Sequence, residues 1–341
     1  MLTYQYRIYP TKSQQKAIDQ QLQTHRNLYN KCLELKIAAY KASKTSLSDF
    51  DLIKSEIPNF KGLANYSAMQ QTVRRLGKSF ASFFKKHGGF PRFKNEKRFN
   101  TIEFARIGDG CKLHDKQLYI QYVGKIVFKP HRKFGEVKTI SLTRRNNAYY
   151  VNVICQTYNG SLPKRETSVG IDFGIKTTLT TSDGEKYQSP YFYQEKQKQI
   201  ARLNRNKNYK ALQKVHTKIA NKRKDFNHKL SRSLVNRYDI ILIEDLKVED
   251  ITKEYINKKL YNIGINQLKT YLLYKAESAG KLAVLVNPAY STKTCVCGQL
   301  NELKLTERTY VCGSCGYTQD RDIHAANNIK TRGLASLGFI P

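Results

Sequence analysis

Three acidic residues stand at positions where a charged side chain is costly. Asp172 ends the short apolar run 169–171, Glu244 ends the apolar run 240–243, and Asp322 opens a segment with helical periodicity. A carboxylate on a buried strand is unfavourable unless it is paired, hydrogen-bonded or bound to a metal ion. Carboxylate oxygens select hard cations such as Mg²⁺ or Mn²⁺. Three carboxylates on separate elements would suit two such ions about 3.5–4 Å apart, an arrangement that hydrolyses phosphodiester bonds.

Each acidic position also has a plainer interpretation when it is taken alone. A strand-end aspartate such as Asp172 often caps the following turn, and either Asp245 or Asp320 could replace its neighbour in the set. Asp322 is preferred to Asp320 because an Ala-Ala pair one turn later indicates a close-packed helix face. His324 could act as a general acid or base, although packing is an equally simple role for it.

Four of the 7 cysteines lie close together near the C-terminus and form a candidate zinc site. The second pair has the C-x-x-C-G spacing of a zinc knuckle, the first pair is the shorter C-x-C, and 14 residues separate the two pairs. Four thiolates so spaced predict tetrahedral structural Zn²⁺, with reduced, unliganded thiols as the alternative. A disulfide is disfavoured in an intracellular protein. The four candidate ligands are Cys295, Cys297, Cys312 and Cys315.

The charge balance indicates a polyanionic partner. The chain has 60 Lys and Arg against 27 Asp and Glu, a net charge of +33, and so large an excess favours nucleic acid. A basic membrane-surface protein is the alternative, but no segment reads as a basic amphipathic membrane helix. With no secretory signal and no apolar run long enough to span a bilayer, we expect a cytoplasmic protein that is nucleoid-associated when bound to DNA.

Basic residues concentrate in three segments that are candidates for nucleic-acid contact. The first is the polar face of a predicted helix that includes residues 73–84. The second is the turn 88–94, which contains Gly and Phe, and the third is the helical stretch 196–232. That stretch has 13 Lys and Arg and a single acidic residue. A solvated basic face is the alternative for each. The candidate contacts are Arg74, Arg75, Lys78, Arg92, Lys94, Lys222, Arg223 and Lys224.

The order of elements predicts a multidomain α+β protein. Residues 2–9 alternate as a strand, and Thr11 begins a capping box for the helix that follows. Apolar residues recur at helical spacing in that helix (Ile18, Leu22, Tyr29, Leu33 and Ile37) and on one face of a second helix (Val73, Leu76, Phe80, Phe83 and Phe84). Residues 103–157 alternate in short runs, which predicts a small antiparallel barrel or sandwich interrupted by the helical region 11–100. From residue 167 the order is strand, hairpin, helix, strand, helix, strand and helix, as in an RNase H-like core.

Taken together, the motifs resemble those of the TnpB (OrfB) family of RNA-guided endonucleases encoded by insertion sequences, which look ancestral to type V CRISPR effectors. The likeness runs along nearly the whole chain. Its departures are the C-x-C pair, His324 where Asn is common, and a trimmed loop near residues 204–208. The motifs that carry it include Arg7-Ile8-Tyr9-Pro10-Thr11, Asn27-Leu28-Tyr29-Asn30, Gly89-Phe90-Pro91-Arg92-Phe93-Lys94, Gly170-Ile171-Asp172-Phe173-Gly174, Ile243-Glu244-Asp245-Leu246 and Asp320-Arg321-Asp322-Ile323-His324-Ala325-Ala326.

The resemblance implies a domain layout and a set of cofactors. A wedge-like β-barrel would comprise residues 1–10 and 101–160, with residues 11–100 as a helical recognition insertion. A RuvC-like nuclease would comprise 165–290 and 318–335, with 291–317 as a zinc-ribbon insert that binds target nucleic acid. Asp172, Glu244 and Asp322 would be its catalytic triad and hold two Mg²⁺ (or Mn²⁺) ions.

The resemblance also implies the partners and the reaction. A guide RNA from the transposon end would pair with target double-stranded DNA, while the protein reads a short flanking motif. Cleavage next to that motif is the expected activity. An RNA-guided repressor that binds without cutting and a transposase accessory protein are the alternatives, and the intact acidic triad favours the nuclease. The partners include no membrane, and a monomer and a dimer are both compatible with the sequence.

Overall fold

The computed structural model describes residues 1–114, 116–130, 134–146, 148–156, 162–163, 166–174, 177–247, 263–303 and 307–339. The chain divides into two compact units, residues 1–158 and 159–341. The predicted ends of the wedge-like domain at residue 160 and of the nuclease at residue 165 lie outside the described residues. The predicted domain limits therefore stay predictions.

The first unit contains three helices, and its longest begins where the sequence predicts. Thr11 caps α1 by accepting a hydrogen bond from the backbone of Gln14, whose side chain returns to the Thr11 backbone. In α3 the predicted apolar stripe is buried at Val73 and Leu76, but Phe84 at its end is 73% exposed. The ring of Phe84 lies against those of Phe80 and Phe83. The helices are α1 (Lys12–Ser43), α2 (Asp49–Glu56) and α3 (Tyr66–Phe84).

The strands of the first unit form two open sheets. A four-stranded antiparallel sheet has the order β1-β7-β6-β2, so the first strand of the chain pairs with the last of the unit, and a three-stranded sheet has the order β3-β4-β5. A single bridge, Ile8 to Phe128, joins their edges. The predicted closed barrel is not formed by the described strands, because β2 to β5 are only four residues long. The strands are β1 (Leu2–Ile8), β2 (Thr101–Phe104), β3 (Cys111–His114), β4 (Gln117–Ile120), β5 (Gly124–Val127), β6 (Glu136–Arg145) and β7 (Ala148–Gln156).

A five-stranded mixed sheet forms the centre of the second unit. Its order is β10-β9-β8-β11-β12, in which β8, β11 and β12 are parallel, β9 is antiparallel to β8, and β10 is antiparallel to β9. The Val- and Ile-rich sequences of β8 and β11 suit strands that are covered on both faces. The strands are β8 (Ser168–Asp172), β9 (Leu179–Thr181), β10 (Lys186–Tyr187), β11 (Ile240–Glu244) and β12 (Leu282–Val286).

Among the described residues four helices accompany this sheet, and the basic stretch 196–232, predicted to be helical, contributes to two of them on either side of the loop near residues 204–208. The chain turns at Lys207, which has a left-handed φ of 51°, and Asn208 then caps the second helix. The segment 204–208 is rich in asparagine, which favours such a turn. No helix in the described ranges is long and apolar enough to cross a membrane. The helices are α4 (Gln197–Arg205), α5 (Tyr209–Arg237), α6 (Ile265–Ser278) and α7 (Arg321–Ser336).

A small cysteine-containing segment lies between β12 and α7. Its two short antiparallel strands are β13 (Thr309–Val311) and β14 (Thr318–Asp320). Buried Tyr310 forms a small core with Cys295 and Cys312. Because β14 ends directly at α7, the segment adjoins the helix that carries Asp322.

Candidate metal centres and basic surfaces

Two of the predicted acidic residues meet at adjacent strand ends. The parallel register pairs Ile243 with Ile171, so the next residues along, Glu244 and Asp172, lie side by side at the same edge of the sheet. Their residues are only 7% and 8% exposed. The backbone N–H of Phe173 donates to Glu244 Oε2 at 3.0 Å and fixes its carboxylate toward this edge.

Asp322 approaches the same place from α7. A glycine in β8 permits this, because a Cβ added at Gly170 would lie 2.0 Å from the carbonyl oxygen of Ala326. Ala325 and Ala326 are fully buried, as expected of a close-packed helix face. The helix backbone therefore lies almost directly on the strand that ends at Asp172.

The electrostatics indicate that these carboxylates form one cluster. Burial raises the pKa of Asp172 well above its usual range, and the neighbouring charges of Glu244 and Asp322 raise it further. Burial also raises the pKa of Glu244, to about 7, although the Phe173 N–H and Lys269 oppose the shift. Desolvated carboxylates that oppose one another's ionisation are the groups that a divalent cation would stabilise.

The two acidic neighbours that could have replaced members of this set are engaged elsewhere. Asp245 Oδ1 accepts from Lys269 Nζ at 3.1 Å. Asp320 caps α7 by accepting from the backbone N–H groups of Asp322 and Ile323, and its other oxygen accepts from Lys186 at 2.8 Å. These contacts support the choice of Glu244 over Asp245 and of Asp322 over Asp320.

The three carboxylates have donor chemistry that fits divalent cations. Their oxygens do not all lie within 4.8 Å of one another, since only the cysteines form so compact a group among the described residues. Arg308 approaches Asp322 Oδ1 at 4.0 Å, a cation that the sequence did not point to.

All four predicted cysteines converge despite the short C-x-C pair. Their sulfur atoms all lie within 4.8 Å of one another, and the Cys295–Cys315 and Cys297–Cys312 distances are 3.6 and 3.8 Å. A tetrahedron with Zn–S bonds of about 2.3 Å has S–S edges of about 3.8 Å. Backbone N–H groups, first that of Cys315, lower the pKa of Cys312 to about 6, which favours the thiolate form that binds metal.

A cluster of polar contacts connects α7 to the loop that leads into the cysteines. Asn328 Nδ2 donates to the carbonyls of Ser291 and Thr294, each at 2.7 Å. His324 is fully buried, hydrogen-bonds the Thr294 carbonyl at 2.9 Å through Nε2, and stacks on Tyr310 with ring centroids 3.7 Å apart. Packing is therefore its role in the structure. Sequence reasoning missed this network because its loop partners are backbone carbonyls.

The basic candidates divide into two surfaces and some isolated side chains. In the first unit a cavity of about 570 Å³ brings together four of them, Arg75, Lys78, Arg92 and Lys94. Arg74 is exposed and does not line it.

The second unit has a smaller basic cavity of about 210 Å³ along α4 and α5. Lys222 lines it, with Nζ 5.6 Å from the centroid of the Phe192 ring. Arg223 is partly buried beside Gly264, and Lys224 is exposed. Lys222, Arg223 and Lys224 therefore do not act as one surface.

Three family models match the chain. A model of the OrfB group of IS605-type elements, described as "Probable transposase", matches residues 159–254, which include Asp172 and Glu244. A "Cas12f1-like, TNB domain" model matches residues 266–329, which include the four cysteines and Asp322. A "Helix-turn-helix domain" model matches residues 1–45, where the structure has β1 followed by the single helix α1.

Known proteins of this group are similar over much of the chain. A "Putative RNA-guided DNA endonuclease" of Streptomyces pristinaespiralis is 29% identical over 364 residues, covering 98% of this chain and 89% of that protein. The TnpB-like protein L79 of Acanthamoeba polyphaga mimivirus is 30% identical over 234 residues, covering 60% of this chain and 45% of that protein.

A solved structure shares the fold. The mini-RNA-guided endonuclease CRISPR-Cas_phi3 superposes with a TM-score of 0.53 at 8% sequence identity, covering 99% of this chain and 92% of that one. At so low an identity the likeness shows the arrangement of helices and sheets alone.

Proposed function

Since this chain belongs to the TnpB (OrfB) family, we propose that it is an RNA-guided DNA endonuclease of a transposable element. The relatives named as RNA-guided DNA endonucleases support the activity. The observation that carries it for this chain is the meeting of Asp172 and Glu244 at adjacent strand ends, with Asp322 on the helix packed against them. We assign residues 165–290 and 318–335 to a RuvC-like nuclease core.

In this proposal the three carboxylates hold divalent metal ions, Mg²⁺ or Mn²⁺. Such ions supply charge neutralisation and an activated water in phosphodiester hydrolysis. Asp172 and Glu244 contribute oxygens from a desolvated strand edge, and the Phe173 N–H keeps the Glu244 carboxylate oriented. Lys269 holds the Asp245 carboxylate in a separate ion pair.

The remaining parts of the chain have supporting roles in the proposal. The cysteine segment, residues 291–317, would be a zinc ribbon that contacts target nucleic acid. Residues 1–10 and 101–160 would act as a wedge domain, with the helices of residues 11–100 as a recognition region. A guide RNA would select the target by base pairing, and the protein would read a short flanking motif. The excess of positive charge fits both polyanionic partners.

The test begins with co-expression of the protein and the flanking transposon-end DNA. The purified complex is incubated with a plasmid library in Mg²⁺, and the bound RNA and the cut sites are sequenced. We expect RNA of defined length and cutting beside a fixed motif, with Asp172→Ala abolishing cutting but not binding. RNA-dependent binding without cutting in Mg²⁺ or Mn²⁺ would instead identify a guided repressor. Strand joining by the purified protein would indicate a transposase.

A further inference from the structure

The cavity in the first unit has the charge of an anion-binding site. Five cationic side chains line it, and none of the described residues that line it is acidic. Burial lowers the pKa of Arg75, and burial together with the charges of Arg75 and Arg98 lowers the pKa of Lys94. The cationic neighbours therefore disfavour the charged form of Lys94, and an anion between them would relieve this repulsion. The five are Arg75, Lys78, Arg92, Lys94 and Arg98.

Two of these cations are held in place by contacts that do not involve acidic groups. Arg75 donates to the carbonyl of Thr101 at 3.1 Å, and its guanidinium lies 4.8 Å from the centroid of the Phe99 ring. The backbone of Lys94 is bound at both ends by one side chain, because Asn30 Oδ1 accepts from its N–H at 2.8 Å and Asn30 Nδ2 donates to its carbonyl at 2.9 Å. The Lys94 ammonium itself lies 5.7 Å from the centroid of the Tyr29 ring. Cations whose positions are restrained in this way lose less entropy when an anion binds.

An aromatic ring forms part of the same wall. Phe90 lines the cavity and is 48% exposed. It packs edge-to-face against Phe80 and Phe83, with interplanar angles of 89° and 85°. These contacts hold the ring while part of it stays accessible, which is the requirement for stacking a nucleic-acid base.

The cavity wall also contains polar groups that suit phosphate oxygens. The Tyr29 hydroxyl is buried beside the Ser79 side chain. The neighbouring Ser79 hydroxyl donates to the carbonyl of Arg75 at 2.9 Å. The volume of about 570 Å³ is in the range of pockets that hold small organic ligands.

We propose that this cavity binds one nucleotide of a nucleic-acid strand, with its phosphate among Arg75, Lys78 and Lys94 and its base against Phe90. The inference rests on the proposed function for the source of that strand. This proposal differs from non-specific attraction to a basic surface. In a discrete site, the effect of each cationic residue on binding affinity depends on its position as well as on its charge.

The test compares matched variants of the full-length chain. Fluorescein-labelled 12-nucleotide homopolymers of deoxythymidine and uridine are the probes, and fluorescence anisotropy gives the affinity at several salt concentrations. Lys78→Ala with Arg98→Ala removes two cavity charges. Lys85→Ala with Lys97→Ala removes two exposed charges of the same region that do not line the cavity.

We expect the cavity pair to weaken binding by about tenfold and to lower the salt slope by up to about 0.7, the value for one phosphate contact on a single strand. The control pair should change affinity by less than about twofold. Equal effects of the two pairs would overturn the proposal, because the region would then act only through its overall charge. Unchanged melting temperatures would show that each variant is folded.

Two aromatic variants test the base contact. Phe90→Ala should weaken binding about fivefold or more, the scale of losing one base-stacking contact, while Phe84→Ala, which removes a more exposed ring outside the cavity, should not. Equal effects would overturn the base contact. A preference for the uridine or the thymidine probe identifies an RNA or a DNA strand.

The outcome is separable from the nuclease proposal. Probe binding requires neither guide RNA nor cleavage. If the protein cuts guided targets but the two double variants weaken probe binding equally, only the nucleotide-site proposal is refuted. If the cavity pair weakens probe binding more than the control pair but the protein never cuts a guided target, only the nuclease proposal is refuted.

Discussion

Carboxylates that share a desolvated strand edge oppose one another's ionisation. Asp172 and Glu244 are both nearly inaccessible, and burial is the main cause of the raised pKa of each. The same arrangement that would bind cations therefore destabilises the metal-free protein. Function and stability conflict at these residues, as they often do in sites built for a charged ligand.

Asp172→Asn tests this conflict directly. The substitution removes a charge from the cluster with little change of shape, so it should raise the melting temperature of the metal-free protein while abolishing guided cleavage. A gain on the order of 1 kcal/mol corresponds to about 2–4 °C for a unit of this size. Differential scanning fluorimetry with and without Mg²⁺ measures it. Asp225→Asn, at an exposed ion pair with Lys229, should change neither property, and a lower melting temperature for Asp172→Asn would contradict the account.

His25 predicts a pH dependence of stability in the first unit. It is 1% exposed, and its Nδ1 lies 2.8 Å from Thr72 Oγ1. Burial, aided by the charge of Arg75, lowers its pKa to about 4. The unfolded chain, with a pKa of about 6.5, binds the extra proton, so the stability contributed by neutral His25 is complete above about pH 6.5 and is lost as the pH falls toward 4.

Urea denaturation of wild type and His25→Gln at pH 7.5 and 4.5 measures this effect. The loss of unfolding free energy between the two pH values should be smaller in the variant by about 2 kcal/mol, from a shift worth about 1.4 kcal/mol per pH unit. His87→Gln alters an exposed histidine and should retain the wild-type dependence. An identical pH dependence in all three proteins would contradict the prediction.

At the scale of elements, the contact between β8 and α7 positions the third carboxylate. The backbones approach so closely that only glycine fits at position 170. A second glycine lies on α7 itself and faces the neighbouring strand β11, because a Cβ at Gly333 would lie 2.4 Å from Cδ2 of the buried Leu242 side chain. The register of the helix on the sheet therefore depends on two missing side chains.

Gly170→Ala should displace α7 and with it Asp322. The added Cβ meets backbone atoms, which cannot rotate away, so we expect a loss of about 1–3 kcal/mol in stability. A displacement of about 1 Å can reduce a rate by about 100-fold, and cleavage assays on a guided plasmid measure it. Gly313→Ala is the control, since its Cβ would lie 3.8 Å from Asn301 Oδ1. Equal cleavage by the two variants would show that the position of α7 tolerates the change.

The cysteine segment is a second element-scale feature with a measurable consequence. The four sulfurs lie at tetrahedral spacing, so we expect one zinc ion per chain by elemental analysis. Cys297→Ser should release it and lower the melting temperature, because the C-x-C pair would lose half of its thiolates. Cys155→Ala, at a buried cysteine outside the group, should keep the zinc. Retention of zinc by the Cys297→Ser variant would show that Cys297 is not needed as a zinc ligand.

At the scale of the whole molecule, the net charge of +33 predicts self-repulsion in the compact state. The melting temperature of the protein without nucleic acid should rise between 50 and roughly 500 mM NaCl, since screening shortens the Debye length from about 14 to about 4 Å. Polyphosphate should produce a similar rise at low salt. A melting temperature that falls with salt would show instead that local ion pairs dominate the electrostatics.

Local patterns in the sequence determined much of this protein. The capping box at Thr11, the strand ends at Asp172 and Glu244 and the C-x-x-C-G knuckle each depend on residues close together in the chain. The sequence motifs also placed it in the TnpB (OrfB) family, which the family models support. Such features are legible because hydrogen bonding and side-chain spacing within one element are fixed by its local geometry.

Only the tertiary structure decided how distant segments meet. It left the predicted barrel as two open sheets and exposed Phe84. It also brought Arg75, Lys94 and Phe90 to one cavity and buried His324 against Tyr310. These outcomes depend on the packing of one element against another, which the periodicity of a single segment does not specify.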